Sequence, residues 1–159
     1  FCHNYNMNKL LVSLFGLLFI CACSQEEPSL SNLNKSEAFL SMNIDKDGVN
    51  RVESGLQYKV LQTGDVTGFR PSLENTVTAH FHGTLIDGEV FWSSVDTNEP
   101  LVINLSQLIV GCQKVMSLMR PGDKWRVFIH PNMAYGQEGR PGIPSNSLLI
   151  FDIELLEVS

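Results

Sequence analysis

Clustered positive charge is what this sequence lacks most plainly. Lys and Arg number 11 against 17 Asp and Glu, a formal net charge of −6. Nowhere do they gather into the basic patch that phosphate binding requires, so nucleic acid is excluded as a partner. The excess of acid favours solubility and says little else. Cysteine is scarce in the body of the chain. Cys2, Cys21 and Cys23 crowd the first segment and only Cys112 lies beyond it, which excludes a disulfide framework. Long apolar runs are missing too. Leu10 to Ala22, broken only by Ser13 and Gly16, reaches about 20 Å at the helical rise, short of the roughly 30 Å hydrocarbon core. Nucleophilic and phosphate-binding motifs are equally wanting. There is no Gly-x-Ser-x-Gly, no Gly-rich phosphate loop and no Cys-x-x-Cys beyond the first segment, so the common acyl-transfer, nucleotide and dithiol chemistries have no carrier.

What the chain does have begins with an address. Phe1 to Asn6 read as an extension upstream of Met7. Asn8-Lys9 is then a short positive region, and the apolar stretch after it has the length of a signal-peptide core. Ile20-Cys21-Ala22-Cys23 resembles a bacterial lipobox. Cys23, preceded by small Ala22, fits the lipid-bearing position, whereas Cys21 would place bulky Ile20 at −1. The expectation is a signal peptide with upstream extension over 1–22 and a lipidation site at Cys23. An ordinary cleaved signal peptide is the plainer alternative. Ser24 follows where a retention signal would place Asp, so the resemblance implies the outer membrane of a bacterial envelope, on its periplasmic or outer side.

Residues 23–52 read as lipid attachment site and flexible linker. Ser24 to Asn34 is rich in Ser, Glu and Asn with Pro28 and shows no apolar period. Ala38, Phe39 and Met42 mark a short helix over Lys35 to Asn43, too brief to be stable alone. Asp45-Lys46-Asp47-Gly48 is not a calcium loop, because Asn50 and Leu56 stand where Gly and Glu are needed.

From about Glu53 to Ser159 the pattern is that of one domain built on a sheet. Val77, Ala79 and Phe81 alternate with Thr76, Thr78, His80 and His82. Asp87-Gly88 is a hairpin signal between Leu85-Ile86 and Val90-Phe91-Trp92. Tyr58 to Gln62, Lys124 to Ile129 and Leu149 to Leu155 also alternate. Only Cys112, Val115, Met116 and Met119 follow a helical period, closed by Pro121-Gly122. The fold class is therefore α+β, an antiparallel β-sheet half-wrapped around one short α-helix.

His80 and His82 share a strand face and His130 stands apart, with no carboxylate or cysteine spaced to complete a metal set. No metal is expected, and Cys112 on the helix's buried face reads as an inert thiol. What remains is a density of aromatic and aliphatic residues beside turns: Phe81, Phe91, Leu101, Ile109, Tyr135, Ile143 and Phe151. A core would account for most of them. Tyr135 sits in a loop beside Gly136, where ligand contact explains an aromatic better than packing does.

These residues fall within a longer pattern. Ser54-Gly55-Leu56-Gln57-Tyr58-Lys59-Val60, His80-Phe81-His82-Gly83, Phe91-Trp92-Ser93-Ser94, Leu108-Ile109-Val110-Gly111, Met119-Arg120-Pro121-Gly122, Ala134-Tyr135-Gly136 and Phe151-Asp152-Ile153-Glu154-Leu155-Leu156 resemble, in order and spacing, the bacterial FKBP-type peptidyl-prolyl cis-trans isomerases of the macrophage-infectivity-potentiator group. Ala134-Tyr135-Gly136 with Gly139-Arg140-Pro141-Gly142-Ile143-Pro144 is the most specific piece. The resemblance implies an FKBP-like roll and an isomerase acting on X-Pro bonds of exported proteins, without cofactor. It assigns Phe81, Phe91, Ile109, Tyr135 and Phe151 to catalysis. Trp92, Leu101, Leu108, Cys112 and Ile143 it assigns to substrate binding.

The chain departs from that pattern in places. Phe81 replaces a frequent tyrosine, and Leu101 a frequent aromatic. Trp92 stands where an aspartate is usual, and Cys112 where a tryptophan forms the pocket floor. Two functions stay open on this basis. One is an isomerase assisting protein folding, and the other a weakly active FKBP-like peptide-binding or chaperone lipoprotein. A monomer is expected, because relatives that dimerise do so through a long helical arm and Ser24 to Val52 offers at most one short helix. The partners implied are proline-containing peptides, unfolded exported proteins, and a membrane reached through the lipid.

Overall fold

The computed structural model describes residues 27–159. The segment expected to be a signal peptide, Cys23 and the first residues of the expected linker lie outside the described residues.

Strands β1 (Val49–Glu53), β2 (Leu56–Gln62), β3 (Thr76–Thr84), β4 (Val90–Ser93), β5 (Leu101–Asn104), β6 (Lys124–Ile129) and β7 (Leu149–Val158) form one sheet in the order β1-β2-β6-β7-β3-β4, with β5 also on β3. Every pairing is antiparallel. β7 lies at the centre, and β3 carries β4 along one part of its outer edge and β5 along another. The period-two reading of β3 holds, for buried and half-buried residues alternate along its whole length. β1 and β5 went unread. Each is short, and no residue of β1 is fully buried, its middle residues Asn50 and Arg51 being exposed.

Helix α2 (Val110–Met116) buries Gly111, Cys112, Val115 and Met116 against the concave face. Val115 and Met116 are wholly enclosed, worth about 1.5–3 kcal/mol each relative to exposure. Met119, expected as the last residue of that helical face, is buried in the turn beyond the helix's end. The helix sits so close to β6 that a Cβ on Gly111 would lie 2.4 Å from Cγ2 of Ile129. Only glycine fits there.

The flexible linker needs correction. Helix α1 (Pro28–Asn43) begins inside it, with Pro28 in the first turn, where its missing N–H costs nothing. The helix covers the opposite face of the sheet. Leu40 packs with Phe128 and Leu148, joined at the margin by Phe39, Val49 and Ile150. Phe128 and Ile150 point there because their strand neighbours point into the main core. Polar bonds complete the docking. The buried Ser36 hydroxyl donates to the carbonyl of Asn146 at 3.0 Å and accepts from the N–H of Leu148 at 3.0 Å. Asn43 donates to Gln57 Oε1 at 3.0 Å, and Gln57 Nε2 donates to the carbonyl of Leu40 at 2.8 Å. Among the described residues the packed unit thus extends back from Glu53 to Pro28. Among the described residues no helix is long and apolar enough to cross a membrane.

Candidate functional site

On the concave face the ends of the strands and the start of α2 leave a cavity of about 480 Å³. β3 supplies Phe81, β7 Phe151, β4 Phe91 and Trp92, and β5 Leu101. Leu108 and Ile109 come from the turn into α2, Cys112 from α2 itself, and Tyr135 and Ile143 from the loop before β7. The ten residues assigned from the sequence to catalysis and substrate binding therefore line one cavity, while Cys23 lies outside the described residues.

The rings are held edge to face. Phe91 meets Phe151 with centroids 5.4 Å apart at 90°, and Phe81 meets Phe151 at 6.2 Å and 82°. This is the favoured geometry for aromatic pairs. Trp92 leans on Phe81 at 5.9 Å and 50° and stays 42% exposed, a rim residue where Phe81 is floor. Phe81 is fixed through its backbone. Its N–H donates to the buried hydroxyl of Ser94 at 3.0 Å, and its carbonyl accepts the N–H of Ser94 at 2.9 Å. Ser94 belongs to the quoted Phe91-Trp92-Ser93-Ser94 run, so the signal for this positioning role was in view and unread.

Polar groups are few. The phenol of Tyr135 accepts a hydrogen bond from Arg140 Nη1 at 2.8 Å, and the guanidinium lies 4.9 Å from the Tyr135 ring centroid. A phenol that accepts still has its own proton to give. None of the hydrogen bonds among the described residues takes up the backbone N–H of Ile109, at the mouth of α2. Burial pushes the Cys112 thiol from 9.0 up to about 12, which keeps it protonated and poorly nucleophilic. The histidines are engaged locally: His80 with Ser94, His82 with Ser93, and His130 with Asn132.

Gln107, Arg140 and Pro141 also line the cavity and were not singled out from the sequence. Arg140 and Pro141 lie inside the Gly139-to-Pro144 run that carried the resemblance. Adjacency to Tyr135 and Ile143 was the available signal.

Such a site suits an apolar ring flanked by peptide carbonyls. Among the described residues it offers aromatic walls, a phenolic donor, an open backbone N–H and a protonated thiol, and no carboxylate.

Comparison with known proteins agrees. Residues 68–156 match the family model described as FKBP-type peptidyl-prolyl cis-trans isomerase. Residues 21–60 match the model for the domain amino terminal to FKBP-type peptidyl-prolyl isomerase, the region that includes α1. The chain is 43% identical to the peptidyl-prolyl cis-trans isomerase Mip of Coxiella burnetii over 128 residues, 80% of this chain and 55% of that protein. It is 42% identical to the outer membrane protein MIP of Legionella longbeachae over 128 residues, 80% of this chain and 54% of that protein. Among solved structures, FkpA from Escherichia coli superposes with a TM-score of 0.78 at 37% identity, covering 82% of this chain and 61% of that one. The chain spans about half the length of the curated relatives it matches.

Proposed function

The chain belongs to the FKBP-type peptidyl-prolyl cis-trans isomerase family, and from that premise we propose that it accelerates rotation about X-Pro bonds in exported proteins. The observation that carries the reading is the convergence of all the candidate lining residues on one aromatic cavity. An X-Pro bond rotates over a barrier set by amide resonance, about 18–20 kcal/mol, and unaided takes tens to hundreds of seconds. Twisting the bond removes charge separation. A dry aromatic pocket therefore disfavours the planar amide relative to the twisted one, and each 1.36 kcal/mol so gained is about tenfold in rate.

In this reading Phe81, Phe91 and Phe151 grip the proline ring. The Tyr135 hydroxyl, its oxygen engaged by Arg140, donates a hydrogen bond to a substrate carbonyl. The N–H of Ile109 holds a second carbonyl in register, while Trp92, Leu101, Leu108, Cys112 and Ile143 shape the walls. No proton is exchanged with the enzyme, in keeping with a cavity lined, among the described residues, by neither carboxylate nor imidazole. The test is proline isomerisation in a short peptide, followed by exchange spectroscopy at micromolar protein. Acceleration is expected, with loss on Tyr135→Phe. An unchanged exchange rate at every concentration would refute catalysis. The second reading, a peptide-binding chaperone of weak activity, is favoured by the exposed indole of Trp92 and the small thiol of Cys112 at two lining positions. It predicts peptide binding without matching turnover.

The relative named an outer membrane protein supports association with the cell envelope. We extend this to a lipid on Cys23 that tethers the domain to the outer membrane. Palmitate labelling that persists in Cys23→Ala would disprove the assignment. The domain is proposed to be monomeric, because α1 is committed to its own sheet through Ser36, Leu40 and Asn43. A solution mass of twice the protomer would contradict that.

A further inference from the structure

Arg140 is the one charged side chain lining the cavity among the described residues. Its surroundings differ from those of the other cations held in ion pairs. Lys114 is paired with Glu53, Lys124 with Glu154, and Arg126 with Asp152. No such pair takes up Arg140 among the described residues. Its guanidinium is nevertheless held in place, stacked over the Tyr135 ring at 4.9 Å and bonded to the Tyr135 oxygen at 2.8 Å. That bond occupies one of five N–H donors, and the rest of the planar fork keeps the geometry that receives a carboxylate. A cation already ordered by its neighbours loses little further freedom on pairing. Trp92 on the same rim presents an indole, which can donate and cannot accept. Among the described residues the cavity thus offers an acidic side chain a partner and is lined by no repelling carboxylate.

We infer that Arg140 is a specificity-determining residue that selects proline peptides carrying Asp or Glu next to the proline. The inference rests on the isomerase reading above. The net charge of −6 acts the other way, since at long range it repels acidic peptides. At about 0.15 M salt the screening length is roughly 8 Å, so the distant charges fade while a contact pair survives. The local cation therefore decides.

The test uses peptides that differ only in the residue flanking proline, Glu, Gln or Lys, on either side, with exchange spectroscopy as a protease-free readout. For the unaltered protein, kcat/KM for the Glu peptide should exceed that for the Gln peptide about two- to five-fold at one flank, the size of an exposed ion pair. Arg140→Gln should bring that ratio to about one, Arg140→Lys should retain part of it, and Arg140→Glu should turn the preference toward Lys. A Glu-to-Gln ratio of one or less at both flanks, or a ratio unmoved by Arg140→Gln, would overturn the inference while leaving isomerisation in place. If no peptide is isomerised, the parent reading fails instead. Affinities of the same peptides, from chemical-shift titration, then decide the inference by the same ratios.

Discussion

Phe91 and Phe151 meet edge to face at 5.4 Å because the residue behind them, Gly83, has no side chain. A Cβ at Gly83 would lie 2.5 Å from Cζ of Phe91 and 2.8 Å from Cε1 of Phe151. Both rings belong to the cavity wall, so the absence of one methyl group on β3 sets the width of the site.

Gly83→Ala should therefore displace both rings. The expected cost is about 1–3 kcal/mol of stability, typical of overpacking, together with a larger proportional loss of isomerase activity. Urea unfolding and peptide exchange measured on the same preparation separate the two. Full activity with unchanged stability would mean that the rings are not held as described.

Ser36 makes two bonds that anchor α1 to the segment entering β7. Ser36→Ala should leave the buried N–H of Leu148 unpaired, at a cost of about 1–3 kcal/mol. Hydrogen exchange should rise across Pro28–Asn43 in particular. Uniform protection of that helix in the variant would count against this docking.

This helix also marks where the sequence was hard to read. Its buried residues, Ser36, Leu40 and Asn43, are spaced as one helical face, yet two of the three are polar. A search for apolar period finds Ala38, Phe39 and Met42 instead, and Met42 is 66% exposed. The partners of Ser36 and Asn43 lie at Asn146, Leu148 and Gln57, distant in sequence, so nothing local announced the contact. β3 and β7 were legible because burial alternates with the pleat along the whole of β3 and along β7 as far as Leu156. The cavity walls were legible because their residues are apolar and sit beside turns. Arg140 was not, since an exposed arginine in a loop looks like any solvated charge until Tyr135 is found beneath it.

Cys112 supplies a prediction about pH. Burial raises its thiol from 9.0 to about 12, so the folded protein keeps the proton when the unfolded chain has lost it. The stabilisation is fully present below about pH 9 and is lost as pH rises toward about 12. Relative to Cys112→Ser, the natural protein should lose stability more steeply across that window. At pH 8, iodoacetamide should modify Cys112 at least tenfold more slowly than an open thiol, because it is buried and protonated, as read by site-resolved mass spectrometry. Labelling of native Cys112 at an open thiol's rate would contradict its burial.

The last prediction concerns Trp92 and Cys112 together. Both line the cavity, the indole on the rim at 42% exposure and the thiol beneath at 2%. A thiol offers far less contact area than the indole that the family resemblance places on the floor. Trp92 supplies no acceptor where that resemblance places a carboxylate. A ligand donor left buried and unpaired there loses about 1–3 kcal/mol, equivalent to roughly five- to a hundredfold in affinity or rate. Cys112→Trp should restore the floor, and Trp92→Asp should bring an acid to a cavity whose one charge among the described residues is Arg140. The double variant should isomerise proline peptides about tenfold faster than the natural protein and bind macrolide inhibitors more tightly. Its gain should differ from the sum of the single changes, because the two positions share one cavity. Full family-level turnover and tight macrolide binding in the natural protein would show that neither position limits the site.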